Sequence, residues 1–88
     1  MGNVLVEYDP EVEATYVTVL DADPAQHVEV QGETVAVDLD ADGVPVGVEL
    51  LVPPTRVTPE MLSAVSSRFP GLGERVAEAL IGTGYHAA

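Results

Sequence analysis

Hydrophobic and polar residues alternate along the first 52 positions of the chain, and turn-forming residues interrupt the alternation at short intervals. A period of two with many β-branched residues is typical of strands that bury one side. The pattern predicts five short strands, at residues 4–8, 14–20, 27–31, 34–40 and 44–51. Because short connections join neighbouring strands antiparallel, we expect a mostly antiparallel meander.

The spacing of apolar residues becomes helical beyond the double proline at positions 53–54. Thr58 is suited to cap a helix that begins with Pro59 and ends before Pro70. A second helix is predicted over residues 73–81. Each helix carries an apolar stripe that can pack on the sheet: Met61, Leu62, Val65 and Phe69 in the first, and Leu72, Val76 and Leu80 in the second.

These elements place the chain in the α+β class, as an antiparallel sheet of about five strands with one or two C-terminal helices packed on one face. Residues 1–88 form a single domain, with an acidic sheet part in 1–52 and a helical part in 53–88. Neither part is long enough to fold comfortably alone, since a chain of this size buries only about 60–65% of its unfolded surface. We therefore expect a homodimer that shares apolar surface.

The segment VDLDADGVPVGVE, residues 37–49, matches the calcium-loop pattern D-x-[DN]-x-[DN]-G-x5-E at every position of the pattern. A calcium loop of this kind lies between two helices, whereas both flanks of this segment alternate with the period of strands. Pro45 also lacks the backbone N–H with which such a loop pairs to a partner loop. The segment is therefore predicted to form a β-hairpin and not a calcium site.

A two-residue turn at Asp42 and Gly43, with a positive φ at the glycine, gives this hairpin its predicted register. A three-residue loop would place Val37 opposite Gly47 and mix the two faces, which a half-buried sheet disfavours. The two-residue turn instead pairs Val37 with Val48, Leu39 with Val46, and Val35 with Leu50.

The sheet part is strongly acidic. The chain has 15 acidic residues against three arginines and no lysine, and residues 1–52 hold 12 of the acids and no base. Nucleic acids and anionic membranes need basic surface, so neither is an expected partner. A basic protein is electrostatically favoured as a partner, while the plainer explanation is that the acids keep a valine-rich sheet in solution. We expect the arginines to pair with acids of the sheet.

The sequence contains little of the chemistry that enzymes use. It has no cysteine, no apolar run long enough to span a bilayer, no phosphate-binding glycine loop and no nucleophile motif. We expect a non-enzymatic protein without a cofactor, and the missing cysteines favour a reducing, cytoplasmic location. One alternative stays open: Asp38, Asp40 and Glu49 share a face of the hairpin, where neighbouring carboxylates can bind a divalent cation or support acid–base chemistry.

Other conspicuous side chains have structural explanations. Tyr8 and Tyr16 are expected to pack side by side across the first hairpin. His27 is expected to be an exposed strand histidine, because the sequence offers it no acid and nucleophile partners. Gly47 is expected opposite Asp38, where it leaves room for a bulge or a neighbouring backbone.

Two joined motifs, VEYDPEVEATYVTV and VAVDLDADGVPVGVELL, resemble those of the domain of unknown function 2283 family of small bacterial proteins, over about residues 4–51. Family members open with Tyr-Asp-Pro-Glu…Asp-Ala-Leu-Tyr and close with an Asp-x-Asp-x-x-Gly-x-x-x-Gly-Ile-Glu hairpin. Glu13, Thr15 and Val48 stand where the family usually has Asp, Leu and Ile. The matching positions are Tyr8, Asp9, Pro10, Glu11, Ala14, Tyr16, Asp38, Asp40, Gly43, Gly47 and Glu49.

The resemblance implies a compact sheet domain without an established activity, and it does not extend to the helical part. Some members are encoded beside small toxin-like proteins, which implies an antitoxin-like role with a basic protein as partner. The expected function is a small acidic protein-interaction module. A divalent-cation-binding protein or metal-assisted enzyme and a DNA-mimicking inhibitor remain alternatives.

Overall fold

The computed structural model describes residues 5–82. The predicted elements are all present in this region with slightly different ends, and the predicted start of the first strand, Val4, lies outside it. A short 3-10 turn at Pro54–Arg56 separates the strands from the helices. The elements are β1 (Leu5–Asp9), β2 (Ala14–Thr18), β3 (Gln26–Gln31), β4 (Val35–Leu39), β5 (Pro45–Leu50), α1 (Pro59–Arg68) and α2 (Leu72–Gly82).

The five strands form one sheet in the order β1-β2-β5-β4-β3, and every neighbouring pair is antiparallel. This confirms the α+β class and the antiparallel sheet. Strands β3, β4 and β5 follow one another as a meander, and the β1–β2 hairpin joins the other side of β5. The last strand of the sequence is therefore the middle strand of the sheet, and residues 19–25 carry the chain from β2 to the opposite edge.

One face of the sheet forms the hydrophobic core together with both helices. Alternate residues of β2, β4 and β5 are buried there against the apolar stripes of α1 and α2, as predicted. Burying a valine or leucine side chain completely contributes about 1.5–3 kcal/mol, so this face supplies most of the stability. The core consists of Val17, Val19, Val35, Val37, Leu39, Val48, Leu50, Val57, Val65, Leu72, Val76 and Leu80.

Local chemistry determines where α1 begins and ends. Thr58 Oγ1 accepts a hydrogen bond from the backbone N–H of Met61 at 3.2 Å, which confirms the predicted cap, and Pro59 lies in the first turn. The helix ends at Arg68, since Pro70 disfavours a helical conformation at the residue before it. Within residues 5–82, neither helix has the length and hydropathy needed to cross a bilayer.

The helices are held to each other and to the sheet by two close approaches. At Gly73 the backbones of α1 and α2 come so near that a Cβ atom would collide with the carbonyl oxygen of Leu62. At the other contact, Arg75 Nη2 donates to the carbonyl oxygen of Val19 at 2.9 Å. Both helices therefore lie on the same side of the sheet, and within residues 5–82 the opposite side has no helical layer.

The acidic segment forms the predicted β4–β5 hairpin, but its turn is one residue longer than predicted. The backbone N–H of Asp40 donates to the carbonyl oxygen of Val44 at 2.9 Å and closes a three-residue loop, 41–43. Gly43 has a φ of 83°, which confirms the predicted positive value. Away from the turn the predicted pairs are confirmed: Val35 with Leu50, Ala36 with Glu49, Val37 with Val48, and Asp38 with Gly47.

A register shift beside the turn absorbs the extra residue. Leu39 lies opposite Pro45 and not opposite Val46 as predicted, and the pairing moves by one residue between Asp38 and Leu39. The prediction of a two-residue turn was wrong because it did not allow for a bulge, which commonly accompanies a three-residue loop with a glycine at its end. The shift restores the apolar pairing that the longer loop alone would have disrupted.

Candidate functional site

The second face of the sheet carries polar side chains, and no helix or strand among residues 5–82 packs over it. We call this surface the open face. Cross-strand pairing brings side chains from all five strands onto it, because directly paired residues point to the same side. Its chemically functional members are Glu7 and Asp9 of β1, Tyr16 of β2, Glu49 of β5, Asp38 of β4, and His27 and Glu29 of β3.

Gly47, in the central strand β5, makes room on the open face for an aromatic ring. It is paired with Thr18 of β2 on one side and with Asp38 of β4 on the other. A Cβ atom at Gly47 would collide with the Oη, Cζ and Cε2 atoms of Tyr16. The ring of Tyr16 therefore lies along the sheet surface, across β5, and reaches from β2 towards β4. The space predicted at Gly47 exists, and a side chain fills it.

Asp38 joins Tyr16 to His27 in a chain of hydrogen bonds. Tyr16 Oη donates to Asp38 Oδ2 at 2.8 Å, and His27 Nδ1 lies 2.7 Å from Asp38 Oδ1. An ionised carboxylate only accepts hydrogen bonds, so the Nδ1 atom of His27 carries the proton that it shares with Asp38. This Tyr16–Asp38–His27 network links three strands across the surface of a fourth.

The network shifts the pKa of both of its outer members. The hydrogen bond to Asp38 raises the pKa of His27 above its ordinary value; nearby carboxylates add to the effect and partial desolvation opposes it. Burial raises the pKa of Tyr16, and the hydrogen bond to Asp38 and the charges of Asp38, Glu49 and Glu7 act in the same direction. Tyr16 therefore stays a hydrogen-bond donor, while His27 becomes charged at a higher pH than a free histidine does.

Two further carboxylates lie on either side of Tyr16. Glu7 of β1 and Glu49 of β5 are its direct cross-strand partners. Within residues 5–82, neither carboxylate forms a hydrogen bond or an ion pair. An open cavity of about 480 Å³ borders this group at the β1–β2 turn, and Glu7, Tyr16 and Glu49 contribute to its wall together with Asp9 and Ala14.

The three carboxylates of the cation hypothesis are not equivalent in the structure. Asp38 and Glu49 lie on the open face, and both oxygens of Asp38 are engaged by Tyr16 and His27. Asp40 follows the end of β4, where its Oδ1 accepts from two backbone N–H groups of the turn, each at 2.9 Å. Among residues 5–82, no group of three or more histidine, cysteine, aspartate or glutamate residues is arranged to hold a metal ion.

Of the two predictions about Tyr8 with Tyr16 and about His27, the first was wrong and the second is confirmed with one addition. Tyr8 and Tyr16 do not pack side by side, because the β1–β2 hairpin pairs Tyr8 with Thr15 and Glu7 with Tyr16. The two tyrosines therefore point to opposite faces. His27 is exposed as predicted, with 53% of its side chain accessible, but it does have an acidic partner, since Asp38 reaches it from the neighbouring strand.

The arginines leave the charge of the open face uncompensated. In the described part of the chain, 5–82, the one ion pair joins His27 to Asp38, and Arg75 donates to a backbone carbonyl instead of a carboxylate. The expected pairing of the arginines with acids of the sheet is therefore wrong for this region. The negative charge of the open face is available to a partner.

The network was missed because its members come from strands that are far apart in the sequence. A usable signal was nevertheless present in Gly47. A glycine in the middle of a strand indicates that another group approaches the backbone closely, and Asp38 was already placed opposite it. The missing information was the strand on the other side of β5, which brings in Tyr16.

Comparison with known proteins gives one match. The model of a family described as "Protein of unknown function (DUF2283)" matches residues 5–52. This confirms the resemblance seen in the two motifs. The matched segment contains all five strands and therefore the whole open face, whereas both helices lie beyond it. No curated protein and no solved structure matches the chain.

Proposed function

Because this chain belongs to the DUF2283 family, whose function is unknown, we propose a function from the geometry of the open face. The protein is a non-enzymatic interaction module of the cytoplasm, and its open face binds a basic surface of another protein. The observation that carries the proposal is a sheet face left uncovered by residues 5–82, on which the carboxylates of Glu7, Glu29 and Glu49 have no cationic partner.

An uncovered face is not by itself unusual, since antiparallel sheets often leave one side in water. What favours binding is that the open face is ordered before a partner arrives. The Tyr16–Asp38–His27 network holds side chains from three strands in place. Binding a partner therefore costs less conformational entropy, because these side chains are already ordered. Uncompensated carboxylates around the network attract a basic protein and speed its encounter.

The same network gives little support to catalysis. Asp38 orients His27, as an acid orients a catalytic histidine, but no serine, threonine or cysteine in residues 5–82 hydrogen-bonds to the imidazole. The hydroxyl nearest to the pair belongs to Tyr16, and it donates to the same carboxylate. The raised pKa of Tyr16 also keeps its phenol protonated near neutral pH, so it is not available as a base. The pair therefore serves better as part of a binding surface.

The family resemblance adds a biological role to this proposal. A basic toxin-like protein encoded nearby is the kind of partner that the open face would neutralise, because proteins that act on nucleic acids carry positive surface. If this chain is co-expressed with the basic protein that it binds, it should suppress any growth defect which that protein causes. Persistence of the defect would contradict the antitoxin-like role while leaving the interaction itself intact.

The interaction is tested by removing charge from the open face without removing side chains. In the open-face variant, glutamine replaces Glu7, Glu29 and Glu49. A matched control carries the same three changes at exposed glutamates outside that face, Glu33, Glu60 and Glu78. Both variants lose equal net charge, so any difference between them reports the location of the charge and not its amount.

The measurement is quantitative mass spectrometry of proteins that co-purify with the tagged chains from the native cell, at two salt concentrations. We expect a basic protein that the wild type and the matched control retain, that the open-face variant loses, and that salt releases. Equal capture of the same protein by the open-face variant would overturn the proposal.

A homodimer is also part of the proposal, supported by the edge strands β1 and β3, neither of which has a second strand beside it within residues 5–82, and by exposed Leu5 and Val12 in the first hairpin. Unpaired strand edges are ready surfaces for a second chain. Sedimentation over a dilution series measures the association. A monomer at all concentrations would refute the dimer and leave the open face unaffected.

A further inference from the structure

We infer that the open face recognises its partner through one arginine side chain, which inserts into the cavity beside Tyr16 and pairs with Glu7 and Glu49. This inference rests on the proposed function and specifies the chemistry of the partner. It concerns the β1–β2 end of the open face, whereas the Tyr16–Asp38–His27 network occupies the middle.

The first support is the arrangement of charge around an aromatic ring. Glu7 and Glu49 are paired directly with Tyr16 from opposite sides, and the charges of both act on its phenol group. Adjacent strands lie about 4.8 Å apart, so the two glutamate backbones are separated by about 10 Å with the tyrosine between them. A cation above Tyr16 is within reach of both carboxylates and is attracted by the ring as well.

The second support is that the two glutamates differ from the other acid at the centre of the open face. Asp38 already accepts hydrogen bonds from Tyr16 and His27. Within residues 5–82, the carboxylates of Glu7 and Glu49 have no hydrogen bond or ion pair. Both carboxylates are therefore free to accept hydrogen bonds from an incoming cation.

The geometry favours arginine over lysine. A guanidinium is planar and carries five N–H donors, so it can donate to two separate carboxylates at once and still stack on an aromatic ring. A lysine ammonium is a compact and strongly hydrated charge that gains less from a ring and from two widely spaced acceptors. The cavity of about 480 Å³ at this position gives a long side chain room to enter from the β1–β2 turn.

The test uses short peptides as probes and NMR spectroscopy of the full chain labelled with ¹⁵N. The peptides share one sequence, acetyl-Gly-Gly-X-Gly-Gly-amide, in which X is arginine, lysine or uncharged citrulline. We expect the arginine peptide to shift the amide signals of Glu7, Tyr16 and Glu49. Its affinity should be at least about fivefold higher than that of the lysine peptide, and the difference from the citrulline peptide should be larger still. Weak, millimolar binding is sufficient for this comparison.

Two variants locate the site. The double variant Glu7→Gln, Glu49→Gln should bind the arginine peptide about tenfold more weakly, which is the loss expected when charge-assisted hydrogen bonds are removed. The charge-matched control, Glu33→Gln with Glu78→Gln, should bind like the wild type. Tyr16→Leu should reduce the preference for arginine over lysine, because the ring is gone while both carboxylates remain.

The outcomes separate this inference from the proposed function. Equal binding of the arginine and lysine peptides, or signal shifts confined to other parts of the chain, would overturn the arginine site. If capture of the basic protein still depended on the open face, the proposed function would survive that result. If the open-face variant still captured the basic protein, that result would contradict the proposed function, and the peptide results would not change this conclusion.

Discussion

The two faces of one sheet are built on different principles in this protein. The covered face consists mainly of valine and leucine side chains that pack against two helices, and most of them are fully buried. The open face consists of acidic side chains around a tyrosine, an aspartate and a histidine that are joined by hydrogen bonds. Because neighbouring residues of a strand point to opposite sides, both faces are encoded in the same five segments.

The difference lies in what each face requires from its individual residues. Apolar packing tolerates many exchanges of similar volume, so the covered face depends on a pattern more than on particular residues. The open face depends on a single arrangement, since Tyr16 can reach Asp38 only because Gly47 has no side chain. Stability is therefore concentrated on one face and specific geometry on the other.

The largest expected effect is a difference in stability loss between two adjacent residues of β5, one on each face of the sheet. Leu50 is completely buried, and Leu50→Ala should lower the free energy of unfolding by about 3 kcal/mol through lost burial and an unfilled cavity. Glu49 is its neighbour on the open face, and Glu49→Ala should lower the free energy of unfolding by less than about 1 kcal/mol. Urea unfolding followed by circular dichroism measures both. Equal losses would show that the open face contributes to stability as the core does.

An intermediate effect tests the dependence of the open face on Gly47. The change Gly47→Ala should cost about 1 kcal/mol, because the new methyl group displaces the Tyr16 ring and breaks its hydrogen bond to Asp38. In a protein that already carries Tyr16→Ala, the same change should be neutral or stabilising, since glycine is unfavourable in a strand interior. The double-mutant cycle of unfolding free energies gives the coupling between the two positions.

The control for this cycle is Gly73→Ala in the same two backgrounds. Gly73 lies between the helices, where a methyl group meets the backbone of Leu62, so its cost should not depend on Tyr16. A cost of Gly47→Ala that is likewise independent of Tyr16 would mean that the ring does not need the space above the glycine.

The smallest effect is a pH dependence that belongs to the open face alone. The pKa of His27 is raised in the folded protein by its hydrogen bond to Asp38, so the stability that this pair adds is complete below the ordinary histidine pKa of about 6.5. It declines as the pH rises through the folded value. We expect a loss of a fraction of 1 kcal/mol between about pH 6 and pH 8, because solvent screens an exposed pair.

Two variants identify the source of this dependence. His27→Gln and Asp38→Asn should each flatten the dependence of unfolding free energy on pH over this interval. NMR titration of the His27 signal should also show its pKa falling towards the ordinary value in Asp38→Asn. An unchanged titration would mean that the 2.7 Å contact is not maintained in solution.

Much of the fold could be predicted because it is encoded locally. The alternation of valines locates the strands, and the Thr58 cap and Pro70 delimit the first helix. Most of the register of the β4–β5 hairpin also followed from pairing apolar residues on one face. These features depend on residues that are close together in the sequence, so a single chain is enough to infer them.

The parts that could not be predicted depend on where distant strands meet. Nothing local indicates that β2 lies beside β5, yet this pairing carries Tyr16 to Gly47. The faces of Tyr8 and Tyr16 depend on the length of the first turn: Asp9 pairs with Ala14, so residues 8 and 16 fall on opposite sides. A one-residue difference in a loop is invisible to the hydrophobic pattern, but it decides which side chains can meet.

The central position of β5 has a consequence for how the chain acquires its structure during synthesis. The β1–β2 hairpin and the β3–β4 hairpin are joined into one sheet by the backbone pairing of this strand, which is the last of the five to be made. Until β5 has left the ribosome, neither hairpin has its partner strand, and an isolated two-stranded hairpin is only marginally stable. We therefore expect the sheet to assemble late in synthesis, after β5 is available to pair with both hairpins.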